Sequence, residues 1–154
     1  MSDINNINQK EILAFLNSWK DGVIDIGQVH KDGGDFKERA HSFLEDHYAF
    51  NNEEVLFKPT FTSDIVFRNN RDDALSYFVK GHLPEDNGFA LKPWKKIKPS
   101  EVNILIEQGL CAVMGIFKFQ SYEATNPVRV AFTFVLVTVN DKLKIKIHHS
   151  SPID

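Results

Sequence analysis

The chain has 154 residues, 42% hydrophobic and 12% aromatic, enough for one folded domain of this length to bury roughly two-thirds of its unfolded surface around a single core. That composition excludes a disordered chain, and 18 basic against 21 acidic residues, a net charge of -3, exclude the basic footprint of a nucleic-acid binder. The lone cysteine, Cys111, excludes an intrachain disulfide and a multi-thiolate zinc site, and it fits a reducing compartment, read here as the cytoplasm.

Residues 1–6 read as a flexible polar tail. Met1 to Gln9 lack the basic-then-apolar pattern of a signal peptide, and no stretch approaches the roughly 18 to 20 apolar residues of a membrane span, so no membrane partner is expected. Ile12, Phe15, Leu16, Trp19, Val23 and Ile26 recur at helical spacing and predict a long first helix beginning near Ile7, with Gly22 and Gly27 as its weak points. After Gly33 and Gly34, Asp35 with Glu38 forms a candidate capping box for a second helix carrying Phe36, Ala40, Phe43, Leu44 and Tyr48.

From Val55 the pattern shortens into a predicted strand running through Phe67, with Pro59 at an edge or entry position. Asn70 ahead of Arg71, Asp72 and Asp73 reads as the N-cap of a short third helix ending at Gly81. His82 to Lys98 reads as an irregular loop or edge strand, its lysines Lys95, Lys96 and Lys98 a solvated edge. Beyond Pro99 the chain predicts four strands, Val102 to Glu107, Leu110 to Gln120, Pro127 to Val139 and Leu143 to Ser150, joined by hairpin-length turns. Helices first and an antiparallel meander last make an α+β fold, residues 1–154 forming one domain with the helices on one face of a curved sheet.

The strand Val130 to Val139 is apolar on both parities, so both of its faces seek cover. Helices cover one; a second subunit packed on the other predicts a homodimer through the sheet, with a loop of the same chain as the alternative.

The run Lys144 to Ser151 carries the densest candidate chemistry. Strict alternation puts Ile145, Ile147, His149 and Ser151 together on the inward face and leaves His148 and Ser150 outward. Opposite parity keeps the two histidines from sharing one metal ion without a bulge between them, and His30, His41, His47 and His82 show no ligand-type spacing, so no metal ligands and no cofactor are assigned. No nucleophile elbow, P-loop or dinucleotide glycine motif is present. Tyr77 faces inward on the third helix and its hydroxyl needs a partner if buried. Thr60 and Thr62 share a predicted strand face and are candidates to line a polar patch beside it.

Five blocks in order, IGQVHKDGGDF, YAFNNEEVLFKPT, ALSYFVKG, EDNGFALKPW and KIHHSSP, together span nearly the whole chain. They resemble the metal-independent iota-class carbonic anhydrases, whose fold is shared with the calcium/calmodulin-dependent kinase association domain and the nuclear-transport-factor-like, or cystatin-like, superfamily. The resemblance implies a homo-oligomeric cone of sheet and helices with a pocket between them, where carbon dioxide is hydrated to bicarbonate without a metal ion.

Carried onto matching positions, it assigns catalysis to Thr60, Tyr77, His149 and Ser151, with Thr62, Ser150 and His148 as substrate-binding neighbours. The family pattern places one residue between its second serine and the proline and then an aromatic. Here Ser151 runs directly into Pro152, Ile153 and Asp154, so Ser150 stands as the substitute for Ser151. The competing reading is a non-catalytic association or ligand-binding module, which a pocket filled by Phe and Trp would favour; a larger apolar substrate is a third, separable by pocket volume.

Overall fold

A computed structural model describes residues 7–153; the polar tail expected over 1–6 lies outside the described residues. Helix α1 spans Gln9–Lys31 and starts where the Asn8 side chain accepts the Glu11 N–H at 2.9 Å, satisfying one of the donors a helix start leaves free. Its stripe from Ile12 to Ile26 is buried as its spacing predicts. Gly22 and Gly27 are not weak points but places of close approach. A Cβ at Gly22 would fall 2.5 Å from the Phe43 ring, and one at Gly27 would fall 2.5 Å from the Ala90 carbonyl oxygen.

Helix α2, Phe36–His47, begins behind Asp35, whose carboxylate accepts the Glu38 N–H at 3.1 Å. Tyr48 lies one residue past its end, in extended backbone, a correction that matters for the site. Helix α3, Arg71–Val79, starts behind Asn70, which accepts the Asp73 N–H at 2.9 Å.

Strand β1 is Leu56–Lys58 only, not the run to Phe67. Pro59 has no N–H with which to extend a ladder. Beyond it the Glu85 carboxylate accepts the N–H groups of Ser63, Asp64 and Ile65 at 2.7 to 3.1 Å, taking the donors that a strand would have offered to a neighbour. The remaining strands are β2 Trp94–Glu107, β3 Leu110–Ser121, β4 Val128–Val139 and β5 Lys142–Ile153. They form one sheet in the order β1-β5-β4-β3-β2, antiparallel except where β1 runs parallel to β5. The β4–β5 turn places both Asn140 and Asp141 at positive φ, as a two-residue hairpin requires. β2 begins at Trp94 rather than Val102. Its register shifts at Trp94/Lys96 and between Ser100 and Asn103 break the alternation by which a strand is read from sequence.

The sheet's inner face, including Val113, Phe117, Phe119, Phe132, Phe134, Leu136 and Ile145, is buried and packs on α1, with Trp19 stacked on Phe117 at 5.0 Å between ring centres. On β4 the two parities separate as expected. Val130, Phe132, Phe134 and Leu136 are buried, while Ala131, Val135, Val137 and Val139 are half-buried on the outer face. No helix among the described residues is long and apolar enough to cross a membrane.

Candidate active site

One extra residue in β5 decides which side chains reach the interior. Ile145 lies opposite Leu136 and Ile147 opposite the adjacent Val135, so Lys146 is bulged out of the ladder. A bulge of one residue inverts parity beyond it. Ile145 is fully buried and Ile147 turns to the outer face, so His148 and Ser150 are buried at 4% and 3% exposure while His149 is exposed and Ser151 half-buried. The inward orientation expected of His149 and Ser151 is therefore corrected: His148 and Ser150 face the core. His149 and Ser151 line a shallow cavity of about 310 Å³ on the other side of the sheet, with Asn103, Met114 and Thr133.

The inward pair ends a buried hydrogen-bond chain. Trp19 Nε1 donates to Tyr48 Oη at 3.2 Å, Tyr48 Oη lies 2.8 Å from His148 Nδ1, and His148 Nε2 lies 2.6 Å from Ser150 Oγ. Indole N–H only donates, which fixes the direction of the rest. Burial pulls the His148 pKa down to about 3, with His149 and Lys58 adding smaller charge repulsion, so its ring is neutral and carries one proton. Were that proton on Nδ1, the Tyr48 hydroxyl would accept twice and its own hydrogen would be buried without an acceptor. The arrangement that leaves nothing unpaired has Tyr48 donating to Nδ1 and Nε2–H donating to Ser150 Oγ. Ser150 then keeps its hydroxyl hydrogen free to donate. Burial also pushes the Tyr48 phenol well above its ordinary value, keeping it a donor.

Facing this chain is the loop after β1. Tyr77 Oη on α3 accepts the Phe61 N–H at 3.2 Å; burial raises its pKa above the ordinary phenol value, with the Phe61 N–H and the nearby Thr60 hydroxyl opposing that rise. The loop is clamped from behind by Arg68, fully buried, whose guanidinium meets the Asp86 carboxylate through two bonds of 2.7 and 2.8 Å and also donates to the carbonyls of Ile65 and Asp73. Ser76 donates to the same carboxylate at 2.6 Å. Thr62 is corrected here: it lies in the irregular loop after β1, not in a strand, and donates to the Val66 carbonyl at 2.9 Å instead of lining the polar patch.

Thr60, Tyr77, His148 and Ser150 converge on one hollow, walled by Trp19, Phe57, Phe78, Phe89, Phe117 and Phe119. The space in which a small molecule can centre itself is about 10 Å³, close to the minimum for a single water. Hydroxyl donors thus meet inside an aromatic box. As it stands the hollow has no room for a larger apolar substrate. Trp19, Tyr48, Arg68 and Asp86 were not singled out from the sequence as site residues. The available signal was a polar handle inside otherwise apolar stripes for the first two, and for Arg68 and Asp86 there was none.

The remaining histidines do not join the hollow. His47 donates through Nδ1 to the Phe43 carbonyl and accepts from Ser18 Oγ at 2.8 Å, and burial lowers its pKa. Among the described residues no three His, Cys, Asp or Glu side chains are grouped to hold a metal ion. Cys111 is buried, and burial pushes its thiol up to about 11, which leaves it without thiolate character at neutral pH.

A family model described as metal-independent carbonic anhydrase matches residues 10–152. A metal-independent carbonic anhydrase of Nostoc sp. (strain PCC 7120) is 34% identical over 152 residues, covering 94% of this chain and 73% of the relative. The crystal structure of an iota-carbonic anhydrase from a cyanobacterium, complexed with bicarbonate, superposes with a TM-score of 0.92 at 30% identity, covering 100% of this chain and 96% of that one. The fold extends to more distant proteins at 16% identity. One from Xanthomonas campestris, described as a calcium/calmodulin-dependent protein kinase II association domain, has a TM-score of 0.68 and covers 99% of this chain and 93% of its own. An NTF-2 like protein from Shewanella oneidensis has a TM-score of 0.60, with 94% and 99% covered.

Proposed function

Because the chain belongs to the metal-independent carbonic anhydrase family, we propose that it is a lyase that hydrates carbon dioxide to bicarbonate in the hollow between sheet and helices. The observation that carries this reading is the convergence of Thr60, Tyr77 and Ser150 on one small hollow walled by aromatic rings. In the reaction, a water oxygen bonds to the carbon, one C=O π bond shifts its electron pair onto oxygen, and the water loses one proton to solvent or buffer, giving bicarbonate and H+.

The difficulty is the water: free water has a pKa of about 15.7, which zinc enzymes lower to about 7. His148 is too weak a base at neutral pH to remove a proton outright, its pKa lying near 3. This chain's own residues work differently. The Trp19–Tyr48–His148 chain orients Ser150 as a donor, and Tyr77, held by the Phe61 N–H, aims its hydroxyl at the same space. Donors fixed in advance stabilise the negative charge as it appears on the oxygens of carbon dioxide.

We further infer a homodimer. On the sheet's outer face Leu105 and Met114 are 55% and 59% exposed, continuous with half-buried Ile116, Ala131, Val135 and Ile147, and an apolar face of this kind packs against a second copy. One domain over 1–154, a cytoplasmic setting, no nucleic-acid partner and no membrane partner complete the proposal; the lone buried thiol and the acidic net charge support them. The aromatic walls favour a second reading, the non-catalytic association module, in which the hollow is only a packing defect.

Stopped-flow hydration of carbon dioxide by metal-stripped protein separates the two. Turnover that falls by about 10² or more in Tyr77→Phe, the expected loss for one oxyanion donor, supports the enzyme. Absence of turnover in every form supports the association module, and turnover only after zinc is added refutes the metal-free route.

A further inference from the structure

Lys58 ends β1, half-buried, two residues before Thr60. Its Nζ donates to the Ser150 carbonyl at 2.8 Å and, more loosely, to the Thr60 carbonyl at 3.5 Å. These are the main-chain oxygens of two residues whose side chains line the hollow. Among the described residues no carboxylate forms an ion pair with this ammonium, and burial lowers its pKa from the ordinary value. A cation held without a counter-ion at such a place has a use that strand pairing does not explain. The backbone already pairs β1 with β5, Lys58 lying opposite His149.

The Thr60–Phe61 peptide connects the ammonium to Tyr77. Its carbonyl faces Lys58 Nζ, and its N–H donates to Tyr77 Oη at 3.2 Å. A positive charge at the carbonyl end polarises the peptide and strengthens donation from the other end. The same charge faces the strand that carries Ser150. We propose that Lys58 is a positioning residue of the hollow, tying the Thr60 loop to Ser150 through their carbonyls and supplying the positive charge that favours bound bicarbonate. This deepens the carbonic anhydrase reading and rests on it.

The test compares wild type, Lys58→Met and Lys58→Arg by titration with ¹³C-bicarbonate, stopped-flow hydration, thermal unfolding and amide NMR. Met keeps the apolar stem without charge, and Arg keeps the charge. In Lys58→Met the bicarbonate Kd should rise about tenfold, the scale of one charge-assisted contact, while the KM for uncharged carbon dioxide moves less. The amides of Phe61 and Ser151, which share peptide units with the two carbonyls, should shift. Lys58→Arg should recover most of the affinity.

Wild-type affinity in a folded Lys58→Met overturns the inference, as does a folded Lys58→Arg no better than Lys58→Met. If wild type itself neither binds bicarbonate nor hydrates carbon dioxide, the functional reading falls, and with it the bicarbonate role of Lys58. The Phe61 and Ser151 amides then report on the strap alone, and unchanged shifts in Lys58→Met overturn that as well.

Discussion

The two faces of β5 carry the same two residue types and make different things of them. Inward, His148 and Ser150 are buried in a closed chain with Trp19 and Tyr48, every hydrogen assigned a partner or aimed at a hollow of about 10 Å³. Outward, His149 and Ser151 line an open cavity of about 310 Å³, where water competes for every bond they make. The contrast teaches that a His and a Ser become a candidate site through desolvation and fixed partners: in the dry chain only one arrangement leaves no group unpaired.

The sharpest way to break this comparison is to truncate the two serines separately. Ser150→Ala should lower kcat/KM for carbon dioxide hydration by about 10² to 10³, the range for losing a preorganised donor, and Ser151→Ala should change it less than about twofold, the size of most surface substitutions. Equal losses would mean that both faces contribute to turnover. The outer face should instead respond in assembly. Met114→Lys puts a charge amid the exposed apolar row, and sedimentation should show the dimer dissociating at concentrations about tenfold or more above wild type; an unchanged dimer would place the subunit contact elsewhere.

A separate effect is expected on stability against pH. The folded pKa of His148 is depressed to about 3 against about 6.5 for an unfolded histidine, so between those values the unfolded chain binds the extra proton. The stability this group contributes is complete above about pH 6.5 and declines as pH falls toward 3, by at most about 1.4 kcal/mol per pH unit. His47, also lowered by burial, acts with the same sign. Denaturant titrations of wild type and His148→Gln should therefore diverge in slope across that window, and parallel slopes would show that the His148 ring is not held neutral.

Much of this architecture was legible in advance because it follows from local chemistry. The stripe from Ile12 to Ile26, the caps at Asp35 and Asn70, the two-faced β4 and the hairpin at Asn140–Asp141 each depend on residues within a few positions of one another, where helix and strand periodicities act directly. Thr60 and Tyr77, which line the hollow, stand as candidates through a family resemblance joined to the plain rule that a buried phenol needs a partner.

What escaped the linear reading depends on residues far apart in the chain. The bulge at Lys146 arises from the fit of β5 against Val135 and Leu136, and a single offset residue moved every later side chain to the opposite face. The loop from Pro59 to Arg68 is shaped by Glu85 and Asp86, and Tyr48 meets His148 across 100 positions. Periodicity assigns residues to elements because backbone sterics are local. Which face of the last strand meets the helices, and which oxygens share a hollow, is decided only when distant segments compete for the same buried donors and space, and that competition exists only in the assembled fold.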